Sequence, residues 1–566
     1  MWQGIGASDG YGVGTVIKIV EADLSFSDTQ VEDIKAEQTR FQLALECFTT
    51  KTKAMAEQMR QRVGEKEAEI LEGHVIMASD PALSDGILSQ IADGICAERA
   101  LWNTCDLFIQ VFSATDDELT KQRVTDVEDI RTRLLKILLD KEDVDISNVP
   151  KGTVLVARDL TPSMTVGICK ENVAGILTEV GGKTSHSAIL ARALEVPAVL
   201  SIPEIASQLK DGDVIALDGF TGEVFAPSPE QKAEFLKKQE AFLTEKEGLK
   251  NLVGKPSVTA DGKQVELVCN IGAPKDVKAV LEQDGEGVGL FRTEFLFMGK
   301  TSVPTEEEQF AAYKEVAERL QGKPVIIRTL DVGGDKEIPY LNLPKEDNPF
   351  LGYRAIRVCL QQKEMYHAQL RALVRASAFG DVRIMVPMVA SIEELRQVKA
   401  MVEEIKLELD QEGIAYNKDI PVGIMVETPA AAMMADVLAK EAAFFSIGTN
   451  DLTQYTMTVD RGNAQVAYLY STYNPAVLRM IAHIISSAKQ AGTPVGMCGE
   501  AAADPNLIPL WIAYGLDEYS VGATSVLRTR SILSKWTTEE ANALAVKVAG
   551  LATTAEVEAA LTEARK

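Results

Sequence analysis

Val422-Gly-Ile-Met-Val426 is an apolar run that stops on a carboxylate, Glu427, and its reading decides the C-terminal half of the chain. A short apolar run without polar alternation predicts a strand buried on both faces. Comparable runs lie at Val265–Cys269, Gly287–Phe291, Val325–Thr329, Val382–Met388, Phe444–Ile447, Val495–Met497 and Tyr519–Val521, with helical stretches between them. Eight βα units in roughly 300 residues predict a (β/α)8 TIM barrel over 253–566, with its active site at the C-terminal strand ends. Polar groups cluster at those ends: Asn270, Arg292 and Glu294, Arg328 and Asp331, Glu427, Asn450 and Asp451, Cys498 and Glu500. Such residues are rarely buried unless paired, so a ring of them at one mouth implies a charged ligand or a metal.

Ahead of the barrel, Ser228-Pro229-Glu230-Gln231 carries a helix-start signal, with Ser as cap, Pro at the first helical position and Gln to complete a capping box. The charged segment that follows has only a narrow stripe of Phe235, Gln239, Phe242 and Leu243, and predicts an exposed linker helix within 228–252. Further upstream, short β runs at Val154–Ala157, Val173–Leu177, Ala198–Leu200 and Val214–Leu217 match β segments at residues 4–21. Gly10-Tyr-Gly12-Val-Gly14 fails the dinucleotide fingerprint and is taken as a turn. Between these β regions the pattern is helical, with Leu45, Phe48, Met55, Met59, Val63 and Ile70 at three-, four- and seven-residue spacings. The expected organisation is therefore one α/β domain (1–25 and 145–227) interrupted by an inserted α-helical subdomain (26–144).

Composition narrows the function. Apolar residues make up 46% and charged residues 25% of 566, enough to bury several cores. No apolar stretch approaches the ~20 residues of a bilayer span, so no membrane insertion is expected. The first residues lack the basic and apolar regions of a secretory signal. A net charge of −25 repels a phosphate backbone, which speaks against nucleic acid and favours a basic protein partner. Seven scattered cysteines, never spaced Cys-x-x-Cys, point to a reduced, cytoplasmic compartment.

At the expected mouth, Arg292, Arg328 and Arg461 suit phosphate and carboxylate oxygens, and Glu427 with Asp451 suits Mg²⁺. The bland alternative is that they pair as surface salt bridges. Cys498 follows an apolar strand in Gly496-Met-Cys-Gly-Glu500; an unperturbed thiol is mostly protonated at neutral pH and can donate, although a buried structural cysteine is the other reading. His186 lies in Gly181-Gly-Lys-Thr-Ser-His186-Ser187 just before a helical pattern. Backbone N–H groups and the positive dipole end would stabilise a phosphoryl group there and keep the ring neutral, unless it serves only a cap. His74, His367 and His483 read as surface or packing histidines.

The Gly181–Ser187, Gly289–Phe297, Arg328–Lys336, Val426–Pro429, Ser446–Gln454 and Gly496–Glu500 motifs resemble those of phosphoenolpyruvate-utilising phosphotransferases. In order and spacing, over nearly the whole chain, they resemble the Enzyme I family of the bacterial sugar phosphotransferase system. The resemblance implies an N-terminal phosphohistidine (swivelling) α/β domain with the helical insertion, then a phosphoenolpyruvate-binding barrel that forms a homodimer. By it, His186 is phosphorylated, Arg292, Arg328 and Arg461 grip phosphoenolpyruvate, Asn450 helps to bind it, Glu427 and Asp451 ligate Mg²⁺, and Cys498 protonates the enolate to give pyruvate. The insertion would dock the histidine phosphocarrier protein HPr, with Glu65, Glu67, Glu69 and Asp80 able to face a basic partner. Glu128 stands where some relatives carry arginine. Alternatives are a pyruvate phosphate dikinase or phosphoenolpyruvate synthase, which the short stretch before His186 disfavours, and an inactive regulatory paralogue, which the intact His186, Cys498, Glu427 and Asp451 disfavour.

Overall fold

A computed structural model of the chain describes residues 1–19, 23–28, 30–62, 65–114, 118–141, 146, 149–161, 164, 168–182, 185–298, 300–334, 338–463 and 465–565. Within these, the side chains of 61–62, 65–67, 118–122, 186, 193 and 246 lie outside the description. The chain forms two compact units, 1–246 and 247–566.

The first unit is built on a sheet of β1 (Trp2–Gln3), β2 (Ile5–Ser8), β3 (Tyr11–Lys18), β4 (Thr153–Ala157), β5 (Val173–Thr178), β6 (Ala198–Leu200), β7 (Val214–Asp218) and β8 (Glu223–Phe225), in the order β1-β8-β7-β3-β4-β5-β6-β2. Strand β3 runs parallel to β4 and antiparallel to β7, so it lies inside the sheet. This corrects the expectation of a turn at Gly10–Gly14. Gly12 and Gly14 are strand residues, and a Cβ on them would meet the carbonyl oxygens of Ala174 at 2.3 Å and Gly152 at 2.1 Å. Glycine is there because neighbouring backbone passes close, not because the chain reverses.

Between β3 and β4 the chain leaves the sheet for α1 (Ile34–Arg62), α2 (Glu65–Ala78), α3 (Pro81–Ala92), α4 (Ala97–Ser113) and α5 (Glu118–Leu138). Their own core is Phe41, Phe48, Ile87, Leu101 and Ile130 with neighbours. The α1 and α2 ends that meet the sheet bury Met59 and Leu71 with Leu155, Ile176 and Leu190. Val63 of the predicted stripe lies outside the described residues.

His74 is buried on α2, with Nε2 3.2 Å from Asp126 and Nδ1 3.3 Å from Asp129, both on α5. Burial works against a charged ring, but the two carboxylates outweigh it and lift the pKa to about 9. It is thus a charged clasp between helices rather than an ordinary packing histidine. Because the folded pKa lies above the unfolded value near 6.5, the stabilisation, on the order of 3 kcal/mol, is complete below that value and fades as pH rises to 9. The melting-temperature gap between wild type and His74→Gln should accordingly shrink from pH 6.5 to 9.5; a constant gap would exclude the charged clasp.

The helix Pro229–Lys250 forms where the sequence places it. The capping box closes through Ser228 N–H to Gln231 Oε1 (2.9 Å) and Gln231 N–H to Ser228 Oγ (3.2 Å). Its narrow stripe docks on the sheet of the first unit. Phe235 meets Tyr11 and Phe225 edge-on, Phe242 meets Tyr11 and Phe220, and Gln239 donates to the Tyr11 carbonyl at 2.8 Å. Leu243, counted in that stripe, is instead half exposed.

The second unit closes β9 (Glu266–Ile271), β10 (Val288–Arg292), β11 (Val325–Arg328), β12 (Val382–Val386), β13 (Val422–Val426), β14 (Phe445–Ile447), β15 (Val495–Met497) and β16 (Glu518–Val521) into a parallel barrel, with β16 pairing β9. Outward strand residues join the helices in one large core. Inside, Leu290, Ile326, Met385, Met425, Phe444 and Cys498 form a separate apolar plug. The run read as Val382–Met388 stops pairing at Val386, although Met388 is buried. Apolarity marks burial, and burial continues past the ladder. Among the described residues no helix is long and apolar enough to cross a membrane.

Candidate active site

Parallel pairing brings the polar strand ends together. Arg292 closes β10 and Arg328 closes β11, opposite each other in register. Glu427 follows β13, Asn450 and Asp451 sit in the first turn of the helix Thr449–Met457 after β14, and Cys498 follows β15. With Arg461 they line one cavity of about 330 Å³. Glu294 and Asp331 line it too, whereas Asn270 and Glu500, also expected at the mouth, lie outside that lining.

The arginines differ in their state. Arg328 is buried and bonds Glu294 Oε1 at 2.6 Å and Asp331 Oδ2 at 3.0 Å. Burial disfavours its charge, but Glu294, Asp331 and Glu427 more than restore it. Arg292 and Arg461 are exposed at the rim, where they can meet an anion; Arg461 lies beside the Tyr470 hydroxyl. The sequence reading missed Arg354. It is buried, bonds Asp331 Oδ1 at 3.0 Å and Asp451 Oδ2 at 3.5 Å, and donates to the Tyr455 hydroxyl at 3.1 Å. The signal was the Gly333-Gly334 pair, since a Cβ on Gly333 would lie 2.7 Å from the Arg354 Cβ.

Within this buried cluster two guanidiniums, Arg328 and Arg354, face four carboxylates, Glu294, Asp331, Glu427 and Asp451. The formal balance is two negative charges. Glu427 registers the excess: burial first, then Asp451 and Asp331, push its pKa up to about 8 against the pull of Arg328 and Arg354. Its Oε1 accepts the Met388 N–H at 2.7 Å, while Oε2 occupies space that a Cβ on Gly448 would fill, at 2.7 Å. Asp451 Oδ1 is buried without a hydrogen-bond partner. The donor set fits a divalent cation held by Glu427 and Asp451. Among the described residues no three His, Cys, Asp or Glu side chains converge as a metal cage, and a cation held by two carboxylates alone would need further oxygen ligands.

Cys498 sits on the apolar plug, almost fully buried, and burial pushes its thiol up to about 11, so it stays protonated at neutral pH. Its N–H donates to Ile447 O at 3.1 Å. At Gly499 a Cβ would fall 1.8 Å from Thr449 Oγ1, which explains the glycine: the Cys498 loop crosses directly over the helix carrying Asn450 and Asp451. Asn450 ties that crossing by accepting the Glu500 N–H at 3.1 Å.

In the first unit, His186 opens the helix His186–Leu194. Ser185 caps it by accepting the Ala188 N–H, and Ser187 donates to Asp159 Oδ1 at 2.8 Å. Gly181, at φ 110°, makes the approach turn that few other residues adopt. The His186 side chain, Lys183 and Thr184 lie outside the described residues, as do 335–337 at the end of the Arg328–Lys336 motif. On the helical insertion Glu69 and Asp80 are exposed, and the side chains of Glu65 and Glu67 are likewise outside the description.

Three families match the chain: PEP-utilising enzyme, N-terminal, over 3–123; PEP-utilising enzyme, mobile domain, over 149–222; and PEP-utilising enzyme, PEP-binding domain, over 246–538. The phosphoenolpyruvate-protein phosphotransferase of Bacillus sp. (strain S) is 47% identical over 557 residues, covering 98% of this chain and 96% of its own. That of Bacillus subtilis (strain 168) is 45% identical over 566 residues, covering 100% and 99%. That of Staphylococcus carnosus (strain TM300) is 46% identical over 557 residues, covering 98% and 97%.

Proposed function

The chain belongs to the phosphoenolpyruvate–protein phosphotransferase family, Enzyme I of the phosphotransferase system, and from that premise we propose the roles of its residues. It is an enzyme of phosphoenolpyruvate-dependent phosphoryl transfer. In the reading proposed, His186 takes the phosphoryl group, pyruvate leaves, and a histidine of HPr receives the phosphoryl group as the first step of sugar uptake. The observation that carries this is the single cavity lined by arginines, a carboxylate pair and a protonated thiol.

Arg292 and Arg461, at the rim, grip the phosphate and carboxylate of phosphoenolpyruvate with Arg328, and Asn450 orients it. Glu427 and Asp451 would hold Mg²⁺, which when bound would supply neutralisation of the charge on the transferring phosphoryl group. Neutral His186 attacks phosphorus in line, with the helix N-terminus favouring the phosphorylated product. Cys498 then gives its S–H proton to the enolate carbon, and ketonisation draws the transfer forward. His186 and Cys498 belong to separate compact units, so the histidine unit would visit the barrel mouth and then its partner, with the helix Pro229–Lys250 as the connecting element. Exposed Glu69 and Asp80 suit a basic HPr surface, and dimerisation is assigned to the barrel.

The test is to incubate the protein with labelled phosphoenolpyruvate and Mg²⁺, map the acid-labile phosphoryl group, and add HPr. Label on His186 that moves to HPr is expected. Label drawn from ATP but not from phosphoenolpyruvate would overturn the reading.

A further inference from the structure

The thiol of Cys498 has to reach carbon, not oxygen, and only from one face of a planar enolate. That demands a fixed backbone beneath it, at a residue just past the end of β15. The Cys498 peptide N–H is held by Ile447 O. Its carbonyl is held from farther away. Asn270 stands near the end of β9, and its side-chain Nδ2 donates to Cys498 O at 3.2 Å and to Ser520 O at 3.2 Å. Ser520 Oγ in turn donates to Asn270 Oδ1 at 2.6 Å. One carboxamide thus links three neighbouring strands, β9, β16 and β15, at the mouth.

We propose that Asn270 is a positioning residue for proton delivery: by holding the Cys498 carbonyl to the ends of β9 and β16, it sets the face of the enolate that the thiol reaches. This rests on the reading of Cys498 as proton donor. In the step it serves, the S–H bond breaks and a C–H bond forms at the substrate methylene carbon. The C=C pair supplies that bond, the enolate C–O becomes C=O, and the thiolate regains a proton from solvent. Asn270 touches no reacting atom. Its removal leaves the arginines, Glu427 and Asp451 in place, so phosphoryl transfer and proton transfer should separate.

The experiment uses the full chain with Asn270→Ala and the milder Ser520→Ala, which removes only the Ser520 Oγ to Asn270 Oδ1 bond. Phosphorylated His186 is followed by rapid quench and pyruvate by coupled reduction. A phosphoenolpyruvate analogue bearing one methyl group on the methylene carbon is turned over in D₂O, and the stereochemistry of the product is read after immediate reduction. For Asn270→Ala we expect phosphorylation near the wild-type rate, pyruvate formation about 10- to 100-fold slower, and loss of stereochemical purity; Ser520→Ala should show the same pattern more weakly. Full stereochemical purity in both variants, or equal slowing of both steps, overturns the proposal. Should Asn270→Ala not fold, Ser520→Ala alone decides by the same two readouts. If Cys498→Ala itself forms product rapidly and with full purity, the donor assignment has failed, which is a separate result.

Discussion

Replacing Cys498 by alanine should slow pyruvate formation by about 10²- to 10⁴-fold, the usual worth of a positioned general acid, while phosphorylated His186 still appears on its original timescale. The reasoning is local. The thiol lies on the apolar plug with its pKa raised to about 11, so it is a proton store rather than a nucleophile at neutral pH. Alanine removes one atom from that plug and leaves the charged cluster around Arg328 and Arg354 intact. Phosphoryl transfer would then be reversible, because the bound enolate is not drained by ketonisation. Rapid quench should show phosphohistidine rising to a partial level while pyruvate lags. If both signals fall together, the thiol serves structure or phosphoryl transfer and not protonation.

The second large effect is expected at Glu427. Glu427→Gln keeps shape and leaves an oxygen for the Met388 N–H, now 2.7 Å from Oε1, so the fold should survive. It removes one of the two proposed cation ligands. Phosphorylation at limiting Mg²⁺ should fall by about 10²- to 10³-fold, the scale of losing a main electrostatic contact in a transition state. Stability should move the other way. A buried carboxyl raised from 4.5 to about 8 loses folding free energy as pH climbs between those values, because the unfolded chain ionises first. The metal-free variant should therefore melt no lower than metal-free wild type at pH 8, and added Mg²⁺ should raise the melting temperature of wild type alone. A Mg²⁺-induced shift of equal size in both proteins would remove Glu427 from the cation site.

The barrel was legible because its signal is local. Eight short apolar runs, several of them followed directly by a polar residue, mark strands with both faces covered, and Val422–Val426 and Val495–Met497 match to the residue. The mouth residues followed, since a strand's last position is readable once the strand is. Arg354 was not readable in this way. It comes from a loop after β11, and its place depends on Gly333 yielding space and on Asp331 and Asp451 arriving from two other elements. His74 failed for a related reason, because its charge exists only where α5 brings Asp126 and Asp129 beside α2.

The chain's own pattern of apolar runs, caps and glycines determined which segments become strands and helices, and its motifs determined the family, because both are written within a few consecutive residues. Tertiary structure alone decided which charges share a cavity, that in its buried cluster four carboxylates outnumber the two guanidiniums of Arg328 and Arg354, and that Gly12 and Gly14 lie in a strand. The physical reason is range. Secondary structure answers to neighbours a few residues apart, whereas ionisation and close packing answer to whatever folding brings within a few ångströms.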